Sequence, residues 1–414
     1  MESAALNAAK HLLLLVAIVL TAGLFGRILA QRCKLPDVVI FLLVGMGLGP
    51  ELAGVIDVRA NSTFNQFILI FGSCYLLFDG GASLSFKVLK RVWRTIVVIS
   101  TLGVLITAAI TGFAAAHILG LPLMTALFLG ACTASTDPAT LVPVFKEIRI
   151  SERVAQTVMS ESAFNDAVAA ILTFSLMGFA LGNGASFSPA SAVSAFLANV
   201  LIGVLAGGGL GYLAAVLIAH QRYGFLQEYA PLVTLMAVTG AYLSAETLNA
   251  SGFIAVFAFG IVLGNKGVFG FSLERGDRDK LTDFVVTTSL IMRMFIFILL
   301  GSQVNFAIIE KYLWKGGALM LVFMFVARPL TVFVCALPDR KARWSLRELL
   351  FMCWTRETGV IPGALAGILL GMGVPGAEVI ASITFMAILT TILVQATTTR
   401  WVAGKLGLLL EGKG

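Results

Sequence analysis

With 414 residues, 58% of them hydrophobic and only 12% charged, and a mean hydropathy of +0.96, the chain has too little polar surface for a soluble protein of its length. Its five scattered cysteines and its three distant histidines, His11, His117 and His220, exclude a disulfide framework and a histidine-based metal site. No polar stretch is long enough to fold separately, so residues 1–414 read as a single membrane domain, all-α and polytopic.

The first apolar run, 12–30, follows Lys10 and His11 as a signal peptide would. It is longer than a signal h-region, and Arg27, Arg32 and Lys34 stand where a small-residue cleavage site belongs, so it reads as a retained span. Further spans are expected at 37–55, 63–79, 95–118, 123–145, 153–180, 192–219, 229–247, 250–265, 281–302, 314–336, 346–371 and 376–399, about thirteen in all. Charge supports this division. Segments after odd-numbered spans, with the C-terminal tail, carry 22 Lys and Arg residues, and the opposite side carries four, Lys10, Arg59, Lys311 and Lys315. The positive-inside rule then puts the N-terminus outside and the C-terminus in the cytoplasm. The net charge of +7 is thereby assigned to a basic rim facing lipid, with no reason to invoke nucleic acid. Three arginines remain inside spans. Arg328, beside Pro329, is expected to snorkel to the cytoplasmic end of its span, whereas Arg293 and Arg356 lie deeper and each needs a partner or a wet cavity.

Two spans contain helix breakers. The fifth holds Ser135-Thr136-Asp137-Pro138 and Pro143, and is expected to unwind near Thr133–Pro138; the twelfth holds Thr355, Gly359, Pro362 and Gly363. The breaks are seven spans apart, so their segments run in opposite directions, as inverted six-helix repeats separated by one linker span would require. Broken helices at membrane depth survive where they line a cavity, and their ends carry partial charges that Asp137 and Arg356 can compensate. The alternative is a pair of ordinary proline kinks.

The sixth span carries Glu161-Ser162-Ala163-Phe164-Asn165-Asp166. At 100° per residue Ser162 and Asp166 share one row, and Glu161 and Asn165 share the next. A buried carboxylate gains affinity for a proton by desolvation, and a bound cation favours its ionised form, so the two compete. Asp166, Ser162, Asp137 and carbonyls of 133–136 offer the oxygen ligands that a hard monovalent cation wants, and Glu161 is the natural counter-ion of Arg356 or Arg293. The bland reading is a polar helix-packing network.

Three motifs carry a resemblance: E-S-x-x-N-D at 161–166, T-D-P at 136–138 and P-D-V-V-I-F-L-L-V-G-M-G-L-G-P at 36–50. Together they resemble the monovalent cation/proton antiporters, in the NhaP-like sodium/proton exchanger branch, over about residues 12–400. The resemblance implies a homodimer in the cell (inner) membrane. Spans 12–79 and 229–302 would form the dimer-interface part, spans 95–180 and 314–399 the ion-carrying core, and 192–219 the linker helix. It implies electroneutral 1:1 exchange by an elevator-like movement, with no resident cofactor, the cation and the proton being cargo. It makes Asp166 the carrier, Thr136, Asp137 and Ser162 cation ligands or close neighbours, and Asp79, in L-L-F-D-G-G, an acidic position near the ion path. Glu161 and Asn165 stabilise the core, with Arg356 as the arginine paired with Glu161. One departure is Arg356-Glu357-Thr358-Gly359, where the family commonly has Arg-Gly. Sodium/proton exchange is the leading function and potassium/proton exchange the next. An ion channel, or an intramembrane aspartyl protease using Asp137 and Asp166, represents a different class; no Gly-x-Gly-Asp stretch supports the protease, and the chain is not expected to be an enzyme.

Overall fold

A computed structural model describes residues 4–33, 35–136, 150–180, 189–220 and 223–409, and all regular structure among them is helical. In chain order the helices are α1 (Ala4–Cys33), α2 (Asp37–Leu48), α3 (Thr63–Ser83), α4 (Phe86–Leu119), α5 (Leu123–Thr133), α6 (Glu152–Ala180), α7 (Pro189–Ala219) and α8 (Ala230–Thr247). They continue with α9 (Gly252–Gly264), α10 (Arg275–Ser302), α11 (Phe306–Val322), α12 (Arg328–Ala336), α13 (Leu346–Trp354), α14 (Val360–Gly371), α15 (Ala377–Thr391) and α16 (Thr397–Lys405). Wide π turns, Phe323–Ala327 and Ile392–Ala396, join α11 to α12 and α15 to α16. Counting each joined pair as one, eight helices among the described residues are long and apolar enough to cross a membrane.

The boundaries have local causes. Side chains of Ser62, Ser251 and Asn305 accept the first free amides of α3, α9 and α11. Ser345 and Glu348 form a reciprocal capping box at the start of α13. The expected span 37–55 is helical only to Leu48, because Gly49 precedes Pro50 and is extended at φ −71°, ψ 171°. Among the described residues, four apolar helices of 10–17 residues are shorter than a full crossing: α2, α5, α9 and α14. Two of these, α5 and α14, are the segments with breakers.

The helices pack in two groups. In the first, α2 and α3 lie on α10, α9 lies on α3 and α7, and α1 covers α2. In the second, α4 packs on α5, α6 and α12, and α15 packs on α11, α5 and α14. Small residues set the closest approaches within each group. A Cβ on Gly45 of α2 would overlap the Ile298 carbonyl of α10, and one on Gly301 would overlap the Leu42 carbonyl, so these two backbones touch reciprocally. Gly130 of α5 meets the Ala108 carbonyl of α4 in the same way. Between the groups, α14 lies on α3 and α10, and α6 touches α3 and α9. Along that seam Gly367 rests against Leu69, and the Gln66 amide donates to the Gly367 carbonyl at 3.4 Å.

Candidate ion-binding site

The end of α5 is turned inward by its own polar residues. Thr133 Oγ1 donates back to the Leu129 carbonyl at 2.8 Å, and residues 135 and 136 are no longer helical. These two residues are stitched to α6. Ser135 Oγ donates to the Asp166 carboxylate. The backbone amide of Thr136 donates to Asn165 Oδ1 at 3.1 Å, and Asn165 Nδ2 donates to Thr136 Oγ1 at 2.8 Å, so one amide side chain holds both faces of the residue. Thr136 Oγ1 in turn donates to Ser162 Oγ at 2.9 Å. All five side chains are buried, Asp166 at 7% exposure. The arrangement gathers hydroxyl oxygens around one buried carboxylate, the donor set for a hard monovalent cation or a proton. The structure thus brings together Thr136, Ser162, Asn165 and Asp166, and adds the Ser135 hydroxyl, whereas the sequence pointed to Ser135 only as a helix breaker and a backbone-carbonyl ligand. Asp137, with Pro138 and Pro143, lies outside the described residues.

Asn165 acts here as a clamp and Thr136 as the bridge. Thr136→Val keeps the shape but removes the hydroxyl that joins Asn165 to Ser162. The expected result is normal folding with an apparent KM for the cation raised about tenfold, the equivalent of roughly 1.4 kcal/mol, or one neutral hydrogen bond. Concentration-dependent exchange in vesicles checks it.

The second break faces the first. α13 ends at Trp354 and α14 begins at Val360, leaving 355–359 outside a helix. From this gap Arg356 NH2 donates to the Ala134 carbonyl at 2.7 Å, at the C-terminal end of α5, where a cation offsets the negative end of the helix dipole. Arg356 NH1 donates to Thr107 Oγ1 at 3.1 Å, Thr107 shares a hydrogen bond with Thr331 at 2.9 Å, and the guanidinium stands 4.9 Å from the Phe323 ring centre. Arg356 therefore compensates a broken helix end but does not pair with Glu161. Glu357 beside it is fully buried.

The partner of Glu161 is Arg328, which corrects two expectations at once: Arg328 does not snorkel, being 1% exposed, and the pairing does not go to Arg356 or Arg293. The fork is bidentate, Arg328 NH1 to Glu161 Oε1 and NH2 to Oε2, the latter at 2.9 Å. Arg328 Nε also donates to the Met352 carbonyl at 2.9 Å. The physical reason is the π turn before it. Pro329 cannot donate to a preceding carbonyl, and the chain widens so that the Arg328 amide bonds the Phe323 carbonyl. That added residue rotates Arg328 towards α6.

Asp79 and Arg293 sit elsewhere, in the α3–α10 pair. Ser289 Oγ donates to Asp79 at 2.8 Å, and Arg293 Nε donates to the Ser289 carbonyl at 3.3 Å. Neither bonds a member of the Asp166 cluster, and Arg293 takes no part in the buried ion pair of the core.

Buried charge and unwound backbone between apolar helices of crossing length define a multi-pass membrane transporter. The family profile described as "Sodium/hydrogen exchanger, transmembrane" matches residues 16–405, and the chain belongs to that family of cation/proton antiporters. It is 32% identical to Na(+)/H(+) antiporter 1 of Methanocaldococcus jannaschii over 82% of this chain and 78% of that protein. It is 29% identical to the K(+)/H(+) antiporter NhaP of Alkalimonas amylolytica over 92% of this chain and 64% of that protein. The solved structure of the sodium proton antiporter MjNhaP1 from M. jannaschii at pH 8 superposes with a TM-score of 0.82 at 27% identity, over 96% of this chain and 99% of that one.

Proposed function

We propose that the chain exchanges one monovalent cation for one proton across the cell (inner) membrane, with sodium as the preferred cation and the Asp166 carboxylate as the shared site. The observation that carries this reading is the buried Asp166 carboxylate receiving the Ser135 hydroxyl from the unwound end of α5. Cation and proton exclude each other there because each neutralises the same desolvated charge. Thr136 and Ser162 supply further oxygens, and Asp137 is proposed as an additional ligand. Asp79 stands outside the first set of ligands, near the path. Potassium exchange is the second reading, favoured by relatives of similar identity that are named for potassium.

The proposed movement is elevator-like. The group of α4 to α6 and α11 to α16 carries the ion against a dimer-forming group of α1 to α3 and α8 to α10, with α7 as linker. Packing within each group supports this division, as does the direct contact of the two breaks through Arg356 and Ala134. The proposal includes thirteen crossings in inverted repeats, an outside N-terminus and a cytoplasmic C-terminus, supported by the 22-to-4 charge split. Reconstitution with an internal pH dye and sequential addition of lithium, sodium, potassium and rubidium tests function and selectivity together. A pore would pass cations without coupled proton movement.

Electroneutral coupling makes a separate prediction. With one charge moving each way, the sodium-driven pH change is expected to be independent of an imposed potential, which would otherwise contribute about 2.3 kcal/mol per charge per 100 mV. Valinomycin-clamped vesicles measure this directly, and a rate that follows the potential would overturn 1:1 exchange.

A further inference from the structure

A cavity of about 440 Å³ opens between α4 and the end of α12, and no residue of the Asp166 cluster lines it. Three cations surround it: Arg94, Arg340 and Lys341, all exposed. Its acid, Asp339, is already engaged on both oxygens. Thr95 Oγ1 donates to Oδ2 at 2.7 Å, and the backbone amides of Lys341 and Ala342 donate to Oδ1 at 3.1 and 3.2 Å. Burial by itself would raise this carboxyl, but those donors and the nearby Arg94 charge hold it below the usual carboxylate range, so it remains anionic. Trp344 Nε1 also donates to Thr95 at 3.1 Å, which fixes the arrangement from behind.

Among the described residues, none of the three cations lies within ion-pair distance of a carboxylate. Three positive charges against one consumed negative charge leave the mouth doubly positive. The wall that continues from the mouth along the helices is apolar and open, with Val98 and Val334 at 37% and 43% exposure. Trp93, 49% exposed, stands beside Arg94 as aromatic side chains do at the level of lipid headgroups.

We infer that this cleft binds one anionic phospholipid, its phosphate held by Arg94, Arg340 and Lys341 and an acyl chain laid along Val98 and Val334. A basic mouth alone would suit any phosphate; the exposed valines beside it fit an occupant with a hydrocarbon tail. The lipid would rest on the same two helices that carry Thr107 and Arg328, so its occupancy bears on the ion-carrying group without touching the ion site. The inference goes beyond the exchange reaction and stands whichever cation is transported.

The test is native mass spectrometry and thermal melting of the full chain in detergent with added phosphatidylglycerol. The wild type is expected to retain a phosphatidylglycerol adduct and to melt higher with that lipid than with phosphatidylcholine. The triple variant Arg94→Gln, Arg340→Gln, Lys341→Gln is expected to bind the first such adduct about 10- to 100-fold more weakly. The charge-keeping pair Arg94→Lys, Arg340→Lys is expected to retain it. Unchanged exchange by the triple variant in phosphatidylcholine vesicles shows that it folds. Equal adducts and equal melting in wild type and triple variant would overturn the site. Inorganic phosphate reproducing the melting shift would make it a soluble-anion site and overturn the lipid.

Discussion

Asp166→Asn is expected to yield a folded, monodisperse protein that neither binds nor exchanges sodium. The amide keeps the shape of the carboxylate and still accepts the Ser135 hydroxyl, so the contact between α5 and α6 survives. What disappears is the only property the reaction needs, a charge that a proton or a cation can neutralise. In the unaltered protein, raising sodium should shift the acid limb of the transport profile to lower pH, because a cation-occupied carboxylate needs more protons to be displaced. Excess protons should raise the apparent KM for sodium and leave the maximal rate nearly unchanged. The variant should show sodium-driven proton flux at the level of empty vesicles. A wild-type rate from purified Asp166→Asn would move the carrier elsewhere, first to Asp137 and then to Asp79.

The second large effect concerns folding. Glu161→Gln leaves the Arg328 guanidinium at 1% exposure with carbonyl acceptors but without the carboxylate that forks it. Breaking one side of a buried pair costs about 3–5 kcal/mol, comparable to much of a domain's stability, so low yield and a depressed melting temperature are expected. Arg328→Met should be as damaging on its own. Glu161→Gln combined with Arg328→Met should be far less damaging than the sum, since removing both charges removes the penalty of an orphan. The same cycle run with Arg356→Met should show much weaker coupling, since Arg356 feels Glu161 only through space and makes no hydrogen bond to it. Strong coupling to Arg356, and none to Arg328, would contradict the pairing described above.

Sequence reasoning reached the two interruptions because proline and glycine act locally: Pro362, Gly359 and Gly363 mark the gap before α14 from a few neighbouring residues. It reached the polar face of α6 because helical period alone puts Ser162 and Asp166 in one row. It missed Arg328, whose neighbours suggested a residue near a helix end reaching for water. Pro329 is a local sign that the turn before it widens, but the direction in which the widened turn aims Arg328 depends on how α11 and α12 pack against α6. The signal that asked for a buried partner was the cost of an intramembrane arginine. Asp79 was legible as an acid in a span, yet its acceptor role depends on Ser289, 210 residues away. Ser135 was read for what it does to a helix, and its hydroxyl could be assigned only once α6 was seen opposite.

The seam between α3 and α14 bears on speed. In the elevator movement proposed above, glycine at 367 leaves no side chain to disengage from Leu69, and one long hydrogen bond from Gln66 is a weak latch. Sliding along such a track resembles shear of greased plates more than the opening of a lock. Turnover should then have a modest activation enthalpy, and fluidity of the surrounding bilayer should govern it more than any bond that must break.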